Sequence, residues 1–343
     1  MSRSSARVSL IGLVSLLAWG LLPVSKAPPR RLPPAGAGDV KLHVNVVQRI
    51  GAGEPYYSVF GDELRRGTYP AKSIFNWRTP AHYVLVALLT APIATALLKL
   101  LTLASVLLTA WTLHRFNRLT LLVGTVSMMG AVATAFQPDA VAVAEVWAGV
   151  LIALSLGAYY SRYAAAAALL ALGALFFREL AAPYCVVCAL LALRRRRRLE
   201  IAIWSAGLIA YATYFGWHTM QVVAHRVPED LAHEESWLRW NGVRFILATI
   251  GVNGWLGFLP ARAAALYMTG ALAGTLSRSS IGQLKWSVVL YFLFFMIAGQ
   301  PFNYYWGFVT APLWAFAFAH AIEGSRTLIA SAFPRPAAVG VSH

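Results

Sequence analysis

The sequence predicts an all-α, polytopic membrane protein: a bundle of about ten spanning helices with a long first external loop. Hydrophobic residues make up 59% of the 343 and charged residues only 12%, and that charged share is about half of the share in a soluble domain. The apolar residues fall in blocks of roughly 15–25, which match the length that a helix needs to cross the hydrocarbon. Because lipid offers the backbone no hydrogen-bond partners, each block should be helical. Runs such as AAAAALLALGALFF lack the alternation of a membrane β-barrel.

The first apolar block, at about 8–24, follows Arg3 and Arg7. No convincing cleavage site follows it, so the sequence favours a retained span over a signal peptide. The next blocks lie at about 85–113, 119–136, 140–160, 163–177, 181–193 and 201–217. The stretch 245–260 is short and broken by glycines, and we interpret it as an interfacial helix that leads into a span at about 255–276. If it crossed the membrane instead, the count of ten spans would change, and nine or eleven remain possible.

The connecting segments alternate in charge, and this alternation predicts the orientation. Basic residues mark the turns at 114–118, 162 and 194–198, which should therefore face the cytoplasm. The polar stretches 25–80 and 218–254 are then external, and the tail 325–343 is cytoplasmic. The net charge of +16 is explained by this bias rather than by binding to nucleic acid. The whole chain is expected to form one integral domain in the plasma or inner membrane.

Two motifs that often bind metals have a simpler interpretation here. Cys185 and Cys188 form a C-x-x-C, but they lie inside an apolar run with no second pair, so they are predicted to be buried structural cysteines. The segment HEESW at 233–237 offers His and Glu ligands, but a solvated acidic loop is the favoured interpretation. No Walker motif, dinucleotide-binding G-x-G-x-x-G or H-E-x-x-H is present in the sequence.

The first external loop carries an ordered set of motifs. Asp39 follows the first span, a G-x-P-Y-Y turn covers 53–57, and Tyr69–Pro70 precedes a Trp-containing segment that ends at Pro80. This order resembles the GT-C superfamily of integral membrane glycosyltransferases. It is most similar to those that use a polyprenyl-phosphate sugar, such as the polyprenol-phosphate-mannose-dependent mannosyltransferases. The resemblance covers about residues 8–115 at the level of motifs and continues only as hydropathy beyond them.

The resemblance implies a hexosyl or mannosyl transfer with inversion at the outer membrane face, from a polyprenyl-phosphate sugar to a lipid, glycan or protein acceptor. The family's catalytic base would be Asp39. Independently of the family, an ionised carboxylate can take the proton of an acceptor hydroxyl as the glycosidic bond forms. The alternative is that Asp39 only caps a helix starting at Val40. His43 stands where relatives often have tyrosine, and it is expected to contact substrate together with Tyr56 and Tyr57.

The acidic residues do not predict a metal site or any cofactor. No second acid stands directly after Asp39, so the paired Asp-Glu of protein O-mannosyltransferases is missing, and the D-x-D pattern of oligosaccharyltransferases is absent. A metal-independent enzyme is therefore favoured, and a monophosphate donor suits it better than a pyrophosphate donor. The lipid phosphate needs cationic partners, which the loop offers in Lys41, Arg49, Arg65, Arg66, Lys72 and Arg78. Of these we favour Arg78, because it lies beside the turn that re-enters the membrane.

Three rare charges mark the outer ends of later spans. Arg178 and Glu179 either bind substrate or pair with each other at the interface. Glu145, near the start of a span, either shapes a polar cavity or pairs with Arg178 or Arg262.

The loop 299–307 carries amide and aromatic side chains together. Gln300, Asn303 and Tyr304 suit the binding of sugar hydroxyls and ring faces. Aromatic residues at this depth are equally expected as anchors in the bilayer interface.

Two other functional classes compete with a glycosyltransferase. A transporter or flippase of lipid-linked precursors would also place rare charges between spans, but it should show internal repeats or paired broken helices. A scaffold subunit would lose nothing when Asp39 is replaced. The sequence favours the enzyme over a transporter because neither repeats nor paired broken helices are seen, and because a transporter would not need a long external loop that carries an acid such as Asp39.

Overall fold

The computed structural model describes residues 2–22, 38–232, 236–260 and 262–334. Three predicted features lie wholly or partly outside these residues: the start of the first external loop, the HEESW segment and the end of the tail. Within the described ranges the chain is helical, with no strand and a lone bridge between Leu238 and Ala298. The all-helical prediction is therefore confirmed.

The helices follow one another with short connections. In chain order they are α1 (Arg3–Leu21), α2 (Gly38–Gly51), α3 (Tyr56–Arg66), α4 (Pro80–Leu89), α5 (Ala91–Leu113), α6 (Arg118–Val132), α7 (Ala144–Tyr160), α8 (Ala164–Phe177), α9 (Ala182–Arg194), α10 (Arg198–His225), α11 (Gly242–Ile250), α12 (Ala263–Thr275), α13 (Gly282–Ile297), α14 (Gly307–Ala319) and α15 (Ala321–Ala332). Short 3-10 turns lie at Ile74–Asn76, Ala133–Phe136, Ala140–Ala142, Glu179–Ala181, Leu256–Phe258 and Pro301–Trp306.

Several helices have the length and composition of membrane spans. By these criteria α1, α5, α6 with its continuation to Phe136, and α10 are each long and apolar enough to cross a bilayer, and α7, α8 and α13 are shorter apolar helices. The predicted block 85–113 is divided into α4 and α5, because Thr90 has a φ of 65° and Pro92 opens α5 without a backbone donor. The number of spans stays a prediction.

The interval that we interpreted as an interfacial helix contains a short element. Helix α11 has nine residues, so it is about 13 Å long at 1.5 Å per residue, less than half the hydrocarbon thickness. Its buried face carries Val243, Phe245, Ile246 and Ile250. The next α-helix, α12, begins only at Ala263, later than the predicted start of the span at 255.

The basic turns meet at one end of the bundle. The Arg115 guanidinium donates to the Tyr160 carbonyl at 3.5 Å, and the Tyr160 hydroxyl lies 3.1 Å from His320 Nε2. The Tyr159 hydroxyl donates to Glu200 at 2.9 Å. The turns after α5, α7, α9 and α14 are therefore neighbours, and they lie at the end of the bundle opposite to α2 and α3.

The first and second polar loops are joined at the other end. Arg65 donates to Asp230 at 2.9 Å and to the His225 carbonyl at 2.8 Å. The backbone amides of Ala71 and Lys72 both donate to the Leu231 carbonyl. These bonds hold the stretch after α3 against the end of α10.

Reporter fusions test the orientation. We expect fusions at Arg196 and Arg278 to give a cytoplasmic signal, and a fusion at Glu63 to give an external one, because positive charge is retained inside. A fusion at Glu234, which lies outside the described residues, should also be external. An external signal at Arg278 would contradict this orientation and would require one more crossing between Phe245 and Pro260.

Candidate active site

A cavity of about 880 Å³ opens at the end of the bundle opposite to the basic turns. Its polar side chains come from four separate parts of the chain. They are Asp39, His43, Tyr69, Asn76, Arg78, Arg178, Glu179, Asn303 and Tyr305. Its apolar wall includes Leu42, Phe60, Leu64, Phe75, Leu180, Trp237, Leu238, Phe294, Phe302 and Trp306. The cavity therefore collects six of the eleven predicted site residues.

Helix α2 brings Asp39 to the cavity. The helix begins at Gly38, whose φ of +60° starts the turn, so Asp39 lies in the first turn and not before a helix that starts at Val40. The Asp39 side chain is exposed and lines the cavity. Burial and then a hydrogen bond to Asp39 raise the pKa of Tyr69 above its usual range. The carboxylate thus has a phenol beside it and open space in front of it.

His43 lies one turn after Asp39, on the same face of α2. Its Nδ1 is 2.8 Å from the Tyr83 hydroxyl. Burial, and then the positive charge of Arg78, lower the pKa of His43 to about 3. His43 is therefore a neutral imidazole near neutral pH, and it brings no positive charge to the cavity beside Asp39.

Arg78 is held at the floor of the cavity by tyrosines. The Tyr56 hydroxyl donates to the Arg78 carbonyl, and Arg78 Nη2 donates to the Tyr305 hydroxyl at 3.3 Å. The side chain is 12% exposed. Its Nε is buried and has no hydrogen-bond partner among the described residues. Arg78 therefore keeps an unused donor beside the cavity, whereas Tyr56 contributes by positioning it.

Two glutamates surround Arg178. Arg178 Nε donates to Glu145 Oε1 at 2.7 Å, and Arg178 Nη1 forms an ion pair with Glu179 Oε1. Arg78 Nη2 lies 3.8 Å from the same Glu145 oxygen. Of the two partners proposed for Glu145, the structure thus shows Arg178 and not Arg262. Glu145 is a buried residue behind the floor, while Arg178 and Glu179 line the cavity.

The predicted residues of the loop before α14 lie in two different environments. Asn303 lines the cavity and donates to the Tyr305 hydroxyl at 3.3 Å. Gln300 is 2% exposed, and it accepts from Arg239 at 2.9 Å and donates to the Ser236 carbonyl at 2.8 Å. Gln300 therefore joins two loops instead of lining the cavity. Tyr305, and not the predicted Tyr304, is the tyrosine that lines it.

Tyr57 also lies away from the cavity lining. Its hydroxyl is 2.9 Å from His218 Nδ1, and its ring packs on Trp217 of α10. Unlike Tyr56, which contacts Arg78, it joins α3 to α10.

Other cations of the first loop form ion pairs with acids at the same end of the bundle. Arg49 lies 2.5 Å from Glu54 and 3.0 Å from Glu63, and Arg66 lies 2.7 Å from Glu63. The Arg49–Glu63 pair joins α2 to α3, whereas the Arg66–Glu63 pair lies within α3. Of the first-loop cations that we proposed for the lipid phosphate, Arg78 is the one that lines the cavity.

The described residues contain no group of three or more His, Cys, Asp or Glu side chains arranged to hold a metal ion. Asp62 and Glu63, two adjacent acids on α3, are both in contact with Arg49. Cys185 and Cys188 are free and buried. Asp62 and Glu63 are therefore paired with an arginine, whereas Asp39 lines the cavity.

Aromatic side chains form part of the cavity wall. The Trp237 and Trp306 rings stack at 5.8 Å with 24° between their planes, and Phe302 lies edge-on to Trp237 at 6.2 Å. Trp237 belongs to the second polar loop and was not predicted as a site residue. The sequence does not predict its contact with Trp306, because that contact depends on how two loops fold over the bundle.

The sequence matches no protein-family model and no curated protein. Among solved structures, the fold is similar to the apo crystal structure of ArnT from Cupriavidus metallidurans, with 14% sequence identity and a TM-score of 0.48. The superposition covers 93% of this chain and 59% of that protein, so this chain spans about three fifths of the length of that protein.

Proposed function

We propose that this protein is a membrane glycosyltransferase that moves a sugar from a polyprenyl-phosphate donor to a hydroxyl acceptor. The observation that carries the proposal is the composition of one cavity. It combines an exposed carboxylate, Asp39, with an arginine that has an unused donor, Arg78, beneath a wall of apolar and aromatic side chains. An amphiphile with an anionic head and an apolar chain is the ligand that such a lining suits.

Each group has a task in the proposed reaction. The Asp39 carboxylate takes the proton of the acceptor hydroxyl while the hydroxyl oxygen forms a bond to the anomeric carbon. The bond from that carbon to the phosphate oxygen breaks, and its electron pair leaves with the lipid phosphate. The Arg78 guanidinium stabilises the charge that develops there. Attack from the face opposite to the leaving group inverts the anomeric centre.

The finer features of the proposal come from the motifs of the first loop. The order of Asp39, the turn at 53–57 and Tyr69–Pro70 favours a mannosyl or other hexosyl donor and an active site on the outer side of the membrane. The separation of the cavity from the basic turns supports the second point, because those turns are expected in the cytoplasm. The acceptor belongs to the lipids, glycans or proteins of that side.

A transfer assay tests the proposed function and its independence from metal. Purified protein in liposomes should move label from a polyprenyl-phosphate mannose or glucose to acceptors in a membrane extract, and excess EDTA should leave the rate unchanged. We expect this because Arg78 lines the cavity where the phosphate would leave. In the described ranges, no acidic cluster is arranged there to hold a metal ion. Loss of transfer in EDTA that Mn²⁺ or Mg²⁺ restores would contradict metal independence. Transport of the labelled lipid across the bilayer without any transfer would favour a flippase instead.

A further inference from the structure

The floor of the cavity is electrically balanced without any ligand. Arg78 and Arg178 contribute two positive charges, while Glu145 and Glu179, the acids within 4 Å of them, contribute two negative charges. An incoming phosphate therefore meets no excess of positive charge on this floor. Arg78 lines the cavity and has a buried Nε without a hydrogen-bond partner among the described residues. The Nη1 side of Arg178 is occupied by Glu179. Phosphate binding to both guanidiniums requires one carboxylate to leave.

The two glutamates differ in their freedom to leave. Glu145 has a side chain that is 2% exposed, lies in the first turn of α7 and contacts both arginines. Glu179 has a side chain that is 24% exposed, lines the cavity and opens a 3-10 turn of only three residues. Moving Glu145 would leave a buried charge without a partner, which is costly. Moving Glu179 requires only the rotation of a side chain that already faces the cavity.

We propose that Glu179 is a displaceable counter-ion that occupies the phosphate position on Arg178 until the lipid donor arrives. This inference rests on the proposed function and specifies the charge of its donor. When Glu179 turns towards the mouth of the cavity, the floor keeps one excess positive charge, which matches the single charge of a phosphodiester. After transfer, the lipid monophosphate carries about two charges, and the returning Glu179 competes with it for Arg178. Glu179 thus positions Arg178 and promotes release of the product.

The binding of two phospholipid probes tests this role. The probes are the methyl ester of a polyprenyl phosphate, which has one charge, and the corresponding polyprenyl monophosphate. Glu179→Gln removes the competing charge, so we expect it to bind the diester about tenfold more tightly than wild type, equivalent to about 1.4 kcal/mol. The gain in affinity should be larger for the monophosphate, because Glu179 no longer repels its second negative charge. Glu229→Gln, a change of an exposed glutamate outside the cavity lining, is the matched control and should bind both probes like wild type.

Thermal unfolding separates this role from a structural one. Without ligand, Glu179→Gln should melt below wild type, because Arg178 has lost a partner. Saturating diester should raise its melting temperature by more than it raises that of wild type, because the tighter complex is stabilised more. A purely structural Glu179 would lower the melting temperature with and without the probe.

The outcomes distinguish the inference from the proposed function. Unchanged or weaker diester binding by Glu179→Gln, while wild type binds the diester, would overturn the counter-ion role and leave the enzyme proposal intact. Failure of wild type to bind either probe would overturn both, because no lipid phosphate would then enter the cavity.

Discussion

Asp39→Asn should abolish sugar transfer while leaving the protein folded and able to bind its lipid donor. Asparagine keeps the size and one side-chain oxygen of aspartate, but it cannot accept the proton of the acceptor hydroxyl. Loss of a general base typically lowers the rate by about two to four powers of ten. The charge lost from the first turn of α2 costs at most about 1 kcal/mol of helix stabilisation. The measurement is the initial rate of transfer in liposomes, together with donor binding and the melting temperature.

A matched control makes this result specific. Asp62→Asn changes an acid on α3 that contacts Arg49 and Arg65 and does not line the cavity, so its rate should stay close to that of wild type. Near-normal turnover in Asp39→Asn would exclude this residue as the base. Glu179, the other acid that lines the cavity, would then be the next candidate to examine.

Arg178→Met should destabilise the protein by about 3–5 kcal/mol, because it leaves Glu145 buried with a single, longer contact to Arg78. Methionine fills a similar volume with apolar atoms, so the lost charge rather than a cavity dominates the effect. The measurement is the free energy of unfolding in detergent with increasing denaturant.

The double variant Arg178→Met/Glu145→Met is the matched comparison. It removes both charges and should recover most of the lost stability, because replacing a buried ion pair by apolar groups is often neutral. A single variant that unfolds within about 1 kcal/mol of wild type would show that Arg78 alone satisfies Glu145, and the ion pair with Arg178 would then have little structural weight.

The charges at the cavity could be predicted because charge is rare in this sequence. Glu145, Arg178 and Glu179 interrupt apolar segments, and each interruption has an energetic cost that indicates a partner or a ligand. Their proximity to Arg78 also follows from topology, since all lie at span ends on one side. The sequence does not predict which arginine pairs with Glu145. Arg178 and Arg262 are both compatible with it, and only the packing of α7 against α8 brings Arg178 to Glu145.

The positions of the aromatic and amide residues were harder to predict from the sequence. Tyr304 and Tyr305 are neighbours in a 3-10 turn, where one residue rotates the side chain by about 120°, so the sequence cannot tell which of them faces the cavity. Gln300 has the chemistry of a sugar ligand, yet Arg239 and Ser236 use its amide. Both outcomes depend on loop contacts between distant parts of the chain. The helical content itself was predictable, because lipid leaves the backbone no hydrogen-bond partners outside the helix.

The order in which the cavity is assembled follows from the positions of its parts along the chain. Asp39 is made early, whereas Asn303 and Tyr305 come from the 3-10 turn just before α14. At ~5–20 residues per second, the ribosome separates these events by on the order of tens of seconds. During that interval the carboxylate stands on α2 without the aromatic wall and without the tyrosine that holds Arg78. The complete cavity lining therefore exists only after the chain has been made as far as Trp306.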